Sequence, residues 1–154
     1  MEVLALAVWV GGLVIIVAAV IPAVFNAPIP VPAGGRLLTQ MFHEYDRVVL
    51  LSAGVIVVGM GLRAFFPAGG ETAVSIPLVA LVGVMVMIAG FLTMYLNPEI
   101  VRLQELAFAA SEGGARRAAY ADFFRLHWIA RALYLINLGL GISVLCLKVR
   151  AWAR

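Results

Sequence analysis

Residues 3–25 read VLALAVWVGGLVIIVAAVIPAVF and contain no charged side chain. A helix rises about 1.5 Å per residue, so this stretch is about 35 Å long and can cross a hydrocarbon layer of about 30 Å. The only charged side chain ahead of it is Glu2, whereas a cleavable signal peptide starts with basic residues and has a shorter apolar core. We therefore predict a retained membrane-spanning helix that kinks at Pro22, because proline lacks a backbone donor.

The chain as a whole is also strongly apolar. Of the 154 residues, 64% are hydrophobic and only 12% are charged, and the mean hydropathy is +1.08. Soluble domains carry about 25% charged residues, so this chain has too little polar surface to coat a water-facing domain of its size. The composition excludes a soluble enzyme and favours a chain in contact with the lipid bilayer. No basic and aromatic surface suited to nucleic acid is present, and no reaction is predicted.

Charges and turn-forming residues divide a single membrane domain, residues 1–154, into four spans. The predicted spans are at about residues 3–25, 45–66, 73–96 and 120–147, with interfacial amphipathic helices at about 37–44 and 98–110. Residues 27–35 and 111–117 are expected to be loops, and Asn97 is expected to cap the third span ahead of Pro98. The predicted fold is all-α: an integral-membrane four-helix bundle with a short amphipathic helix after the third span.

Alternating topology brings the first and third loops of this bundle to the same membrane face. That face collects 13 of the 19 charged residues and both histidines. The opposite face holds only Glu2, Arg63, Glu71 and the basic C-terminal tail, for which only an anchoring role is expected. The counts of basic residues do not assign an orientation. The leading hypothesis is that a small solute or ion, including a metal ion or a toxic compound, is bound or transported through a polar mouth on the loop-one and loop-three face.

The fourth span carries the densest stripe of polar side chains. At about 100° per residue, His127, Arg131 and Tyr134 fall on one side of the helix. Arginine inside hydrocarbon is costly, so an acid from another helix, Asp46 or Glu99, is its expected partner. Alternatively, Arg131 snorkels to lipid headgroups while the histidines are structural or solvated. The candidate ligand-binding residues are His127, Arg131, Asn97, His43, Asp46, Glu99 and Tyr134.

Two other classes of function fit the same residues. Because imidazole binds haem iron, zinc and copper, His43 and His127 on one face are candidate haem or metal ligands of a membrane redox protein. The other class is a non-catalytic accessory subunit of a membrane complex. Asn137, deeper in the fourth span, is expected to join helices by hydrogen bonding. Four spans offer little surface for alternating access, so we expect a homo-oligomer or a larger membrane complex.

Four segments carry a resemblance to a known family: ALAVWVGGLVIIVAAVIPAVF, GRLLTQMFHEYDRV, YLNPEIVRLQ and ADFFRLHWIARALYLINLGLGI. Together they resemble the small four-helix membrane family that includes eukaryotic transmembrane protein 205. The resemblance implies a multi-pass protein of a bacterial inner membrane, and the eukaryotic association with tolerance of platinum drugs implies export or sequestration.

A more distant similarity links the chain to the copper-resistance D proteins and to the bacterial membrane protoporphyrinogen oxidase, which use histidines in a comparable core. The histidine that this pattern places seven residues before Trp9 is Glu2 here. This difference argues against haem ligation of that type.

Overall fold

The computed structural model describes residues 1–66, 75–110 and 113–152. Within these ranges the chain forms four long helices and no strand: α1 is Glu2–Asn26, α2 is Val31–Phe65, α3 is Ile76–Ala109 and α4 is Gly114–Trp152. Each helix is long and apolar enough to cross a membrane. The predicted all-α fold with four spans is therefore confirmed.

The helices begin earlier than the turn-forming residues suggest. Residues 31–35, expected in a loop, form the first turns of α2, where Pro32 is tolerated because the first turn has no backbone acceptor for its missing N–H. Residues 114–117, also expected in a loop, belong to α4. The interfacial helix predicted at 37–44 is continuous with the second span. The expectations for residues 73–74 and 111–112 lie outside the described residues.

Two widened, π-helical turns interrupt the regular spans, at Ile16–Val20 in α1 and at Leu92–Leu96 in α3. In both, the residue that follows the turn donates its N–H to the carbonyl five residues earlier, and the next residue is a proline, Pro22 or Pro98. A proline ring in a regular helix clashes with the carbonyl four residues before it, and the wider turn relieves that clash. The irregularity expected at Pro22 thus takes the form of a π turn.

The third span does not end where the sequence suggested. Asn97 has helical backbone angles, φ −64° and ψ −43°, and α3 continues through Pro98 to Ala109. The prediction that Asn97 caps the span is therefore wrong, and the amphipathic helix expected at 98–110 is a continuation of α3. Because the π turn accommodates Pro98, the side chain of Asn97 is left to contact other helices.

The buried core joins all four helices. Its most deeply buried side chains include Leu6 from α1, Ile56 from α2, Met85 from α3 and Val144 from α4. A smaller apolar cluster packs α3 against α4 nearer the loop-three end. Since lipid tails are as apolar as these side chains, close packing rather than burial from water stabilises the contacts inside a membrane.

Glycines allow the closest approaches between helices. A Cβ atom on Gly141 of α4 would lie 2.6 Å from Val10 Cγ2 of α1, and one on Gly59 of α2 would lie 2.8 Å from Glu2 Cγ. Both distances are shorter than a carbon–carbon contact, so only glycine fits at these two crossings. Small residues of this kind are typical of interfaces between membrane helices.

Candidate functional site

Three helices bring one polar side chain each to a buried point, which we call the Asp46 cluster: Asp46 from α2, Asn97 from α3 and Tyr134 from α4. Asn97 Nδ2 donates to Asp46 Oδ2 at 2.6 Å and to the Tyr134 hydroxyl oxygen at 2.8 Å. The Tyr134 hydroxyl donates to Asp46 Oδ1 at 3.0 Å. Asp46 is only 3% exposed. The structure therefore brings together three of the seven residues singled out from the sequence.

Local structure orients each member of the cluster. A π turn accommodates one extra residue. The side chains after the turn therefore point about 100° away from the directions they would have in an uninterrupted α-helix. The turn at Leu92–Leu96 immediately precedes Asn97, so it sets the direction of that side chain. On α4, the ring of Tyr134 packs on Phe42 and Tyr45, with ring centroids 5.3 Å and 6.4 Å apart.

Asp46 receives hydrogen bonds from neutral groups only. Within the described chain, no lysine, arginine or histidine lies within ion-pair distance of its carboxylate. The adjacent Arg47 instead pairs with Glu44 at 3.1 Å on the exposed side of α2. A buried carboxylate without a counter-charge is costly unless a proton or a cation neutralises it. The cluster therefore has the chemistry of a cation-binding or proton-binding site.

The position of Asp46 along α2 places it near one edge of the hydrocarbon layer. Arg63, at the other end of the helix, is 17 residues or about 25 Å away. The 35 residues of α2 are about 52 Å long, so the helix extends well beyond a hydrocarbon layer of about 30 Å. Asp46 thus lies where the apolar part of α2 meets its polar end.

A groove of about 340 Å³ opens between the polar ends of α2 and α3. Its wall includes His43, which lies one helical turn before Asp46. Arg36 donates to both carboxylate oxygens of Glu105 at 3.0 Å, and Thr39 Oγ1 donates to Gln104 Oε1 at 2.8 Å. These cross-links hold the two polar ends together. The groove lies on the face where a polar mouth was predicted, and a role for it in binding or transport stays a prediction.

Glu99 lies at the surface and pairs within its own helix. Arg102 Nε donates to Glu99 Oε2 at 2.8 Å, an exposed contact between residues three apart on α3. This arrangement is the one expected from the spacing of the two residues. The carboxylate of Glu99 is thus already engaged outside the Asp46 cluster.

His127 and Arg131 lie on the exposed stripe of α4 rather than in the cluster. The His127 ring stacks on Phe123 with centroids 5.6 Å apart, and the Arg131 guanidinium lies over the ring of Trp128 at 5.2 Å. In the ranges that the structure covers, no hydrogen bond or ion pair joins either residue to Asp46. Trp128 lies one turn before Arg131, so a partner on the same helix takes the place of the expected acid.

The haem and metal hypotheses rested on His43 and His127. His43 lines the groove, and His127 belongs to the exposed stripe of α4. Among the described residues, no group of three or more histidine, cysteine, aspartate or glutamate side chains has an arrangement that could hold a metal ion. Ligation by these two histidines stays a prediction.

A second buried charged group lies at the opposite end of the bundle, where the sequence suggested only an anchor. Glu2 is 4% exposed and Lys148 is 8% exposed, and Lys148 Nζ donates to Glu2 Oε2. Arg63 Nε lies 3.4 Å from the other Glu2 oxygen. Each of the three residues lies at a span end on the same side of the membrane. This shared position was the signal in the sequence that could have indicated their contact. Glu71, also expected on this face, lies outside the described residues.

Four spanning helices with buried polar groups at both ends define a multi-pass, all-α integral membrane protein. Residues 4–109 match the model of a family described as a domain of unknown function, DUF4149, and the chain belongs to that family. No match is found among curated proteins or among solved structures. The matched segment includes Asp46, Asn97 and the groove, and it ends before Tyr134.

Proposed function

We propose that this protein binds a small cation at the Asp46 cluster and moves it, alone or with a small solute, through the polar mouth on the loop-one and loop-three face. The observation that carries the proposal is a buried carboxylate whose hydrogen-bond donors in the described chain are all neutral. Neutral donors orient the carboxylate without cancelling its charge. A cation or a proton would complete the site.

The location of the cluster supports the same function. Ionisable residues inside membrane domains mark ion, substrate or proton pathways, because burying them is otherwise costly. The groove lies between the polar ends of α2 and α3, and its wall includes His43, one helical turn before Asp46. An imidazole at that position can accept a proton from the aqueous phase and pass it on towards the carboxylate.

The resemblance to the family of transmembrane protein 205 supports export or sequestration, and a bacterial inner membrane as the location. Four spans give one chain little interior surface, so we also propose that the working unit is a homo-oligomer. Native mass spectrometry of the protein released from detergent tests this part of the proposal, and a spectrum with the monomer alone would contradict it.

The decisive experiment uses the full chain reconstituted in phospholipid vesicles. A potassium diffusion potential drives cation entry, which a trapped pH-sensitive dye reports for protons and radioactive sodium reports for Na⁺. We expect the wild-type protein to move at least one of these ions, and Asp46→Asn to slow that movement by about tenfold or more. The substitution keeps the size of the side chain and removes its charge.

Glu44→Gln provides the matched control, because it removes a carboxylate two residues away that is exposed and paired with Arg47. We expect the control to move the ion at the wild-type rate. Equal rates for Asp46→Asn and the wild type, or no movement of either ion by the wild type, would contradict the proposal.

A further inference from the structure

A small chamber adjoins the Asp46 cluster on the side facing the middle of the bundle. Its volume is about 10 Å³, close to the minimum that holds one water molecule. All four helices contribute to its wall. The polar groups in that wall belong to Asp46, Tyr134, Asn137, Tyr45 and the indole N–H of Trp9, and the remaining side chains, such as Leu92 of α3, are aliphatic. The Tyr45 hydroxyl already donates to the backbone carbonyl oxygen of Trp9 at 3.0 Å.

Asn137 of α4 supplies an unpartnered acceptor to this chamber. The residue is 4% exposed, and its Nδ2 donates to the backbone carbonyl oxygen of Met85 on α3 at 3.3 Å. This bond fixes the orientation of the amide and matches the role of joining helices expected for Asn137. In the described chain, no group donates to its Oδ1. A buried acceptor without a donor costs free energy, so the chamber requires a donor.

The side chains around the chamber offer free acceptors on Asp46 and Asn137, and Trp9 adds one indole N–H donor. Each carboxylate oxygen of Asp46 accepts one hydrogen bond and keeps further acceptor capacity. The Tyr134 hydroxyl already donates to Asp46 and accepts from Asn97. The occupant must therefore donate to two acceptors and be no larger than a water molecule. A bare divalent cation fits poorly, because such ions take six or more oxygen ligands.

We propose that this chamber is a binding site for a single water molecule, which donates one hydrogen bond to Asn137 Oδ1 and the other to Asp46. The proposal rests on the proposed function for the role of Asp46, and it adds that the ion accepted there is a proton. A water on the inner side of the carboxylate provides the next proton acceptor beyond it. The proton route then extends from the groove, through Asp46, into the bundle.

The groups that face Asp46 do not offer another proton acceptor of comparable strength on the chamber side. Tyr134 faces it from α4, and His43 and Tyr45 are its ionisable neighbours on α2. The neutral Asn97 faces it from α3, and α1 contributes Trp9 to the chamber wall. Because His43 lies on the groove side, proton exchange with the bulk is expected from that side.

Infrared difference spectroscopy of the reconstituted full chain tests the proposal, with spectra recorded between acidic and alkaline pH in ordinary water and in water enriched in oxygen-18. We expect a protonated carboxyl band that is lost in Asp46→Asn, and a bound-water stretching band that shifts with oxygen-18. The water band should disappear in Asn137→Leu, which keeps the branching of the side chain but removes the acceptor.

Asn26→Leu is the control, since Asn26 lies exposed at the end of α1 and should leave the water band unchanged. Asn137→Met serves as a second variant if the leucine variant does not fold. A water band that persists in the folded Asn137 variant, or a wild-type spectrum without an oxygen-18 shift, would overturn the inference. A band that responds instead to isotopically labelled ammonium would also overturn it.

The two proposals fail in different ways in these experiments. A water band without ion movement in vesicles would contradict the proposed function and leave the chamber site standing. Ion movement without a water band would contradict the chamber site and leave the proposed function standing.

Discussion

At the scale of single residues, polar side chains carry the candidate chemistry and glycines allow the helices to approach closely enough to enclose it. The Asp46 cluster depends on hydrogen bonds of 2.6–3.0 Å among side chains from three helices. Such distances leave no room for a helix to move outward. The positions where helices cross at their closest are therefore as important to the site as the polar residues themselves.

Gly141→Ala tests this dependence. The added Cβ would lie 2.6 Å from Val10 Cγ2 and 3.3 Å from the terminal methyl carbon of Met85, both in the buried core. Because Val10 is β-branched and cannot turn away freely, we expect the free energy of unfolding to fall by about 1–3 kcal/mol. Thermal unfolding of the detergent-solubilised protein, followed by circular dichroism, measures the change.

Gly139→Ala is the matched control on the same helix, because no atom lies within 4 Å of a Cβ placed there. Its unfolding temperature should equal or slightly exceed that of the wild type, since alanine favours a helix more than glycine does. Equal destabilisation by both substitutions would contradict the role given to the contact between Gly141 and Val10.

At the scale of the helices, the π turn at Leu92–Leu96 determines which way Asn97 points. Regular α-helical geometry on both sides of the turn leaves one residue extra between them. That residue offsets the polar end of α3 from its apolar part by about 100°. The turn thus allows the apolar face of α3 and Asn97 to contact the rest of the bundle at the same time.

Deleting one residue inside the turn should convert it to a regular helix while both flanks keep their orientation. The test variant lacks the exposed Met94 and also carries Pro98→Ala, which removes the proline clash. We expect it to fold and to unfold at the same temperature as the Pro98→Ala variant. Met87 is equally exposed but lies in a regular helix. Its deletion in the same background should therefore rotate the two parts of α3 on either side of it relative to each other. Circular dichroism during heating compares the two, and equal losses would contradict the role given to the turn.

At the scale of the whole molecule, the ion pair of Glu2 and Lys148 joins the two ends of the chain. The residues are 146 positions apart, and both are buried. Together with Arg63, they tie α1, α2 and α4 at the end of the bundle opposite the Asp46 cluster. This arrangement links three helices at that end by charge pairing, while the groove lies at the other end.

Removing Lys148 leaves the buried Glu2 carboxylate with the half-exposed Arg63 as its remaining counter-charge. We expect Lys148→Met alone to lower the free energy of unfolding by about 1–3 kcal/mol, and the double variant Glu2→Leu/Lys148→Met to recover part of the loss. Arg150→Met, two residues further along α4 at an exposed position, should have little effect. Thermal unfolding of all three variants measures this coupling, and a double variant less stable than Lys148→Met would contradict it.

Much of the fold could be predicted because membrane spanning depends on local apolar length. Uninterrupted runs such as residues 3–25 indicated four spans, and the structure confirms them. Residues 31–35 and Asn97 were predicted to lie at helix ends because proline and glycine usually interrupt helices. Pro32 instead lies in the first turn of α2, where its missing N–H is tolerated, and a π turn accommodates Pro98. A π turn before Pro98 has no strong signal in a single sequence, since the geometry that relieves the clash depends on the helices packed around it.

The candidate site was predictable in part. Asp46, Asn97 and Tyr134 were among the candidates indicated by topology and helical periodicity, and the structure brings these three side chains together. The partner of Arg131 was not predicted from the sequence, because Trp128 one turn away competes with any acid on another helix. The contact between Glu2 and Lys148 was also missed, since the rotation of each helix about its own axis decides which side chains meet.

The sequence by itself determined that this protein is a four-helix membrane protein with its polar residues concentrated towards one face. Both properties depend on composition and on order along the chain, which translate directly into helix length and membrane position. Only the tertiary structure decided that Asp46 is buried among neutral donors, that a chamber lies beside it, and that the other end is held by a buried ion pair. Those features depend on how four helices rotate and cross, and this geometry is set by close packing at positions such as Gly59 and Gly141.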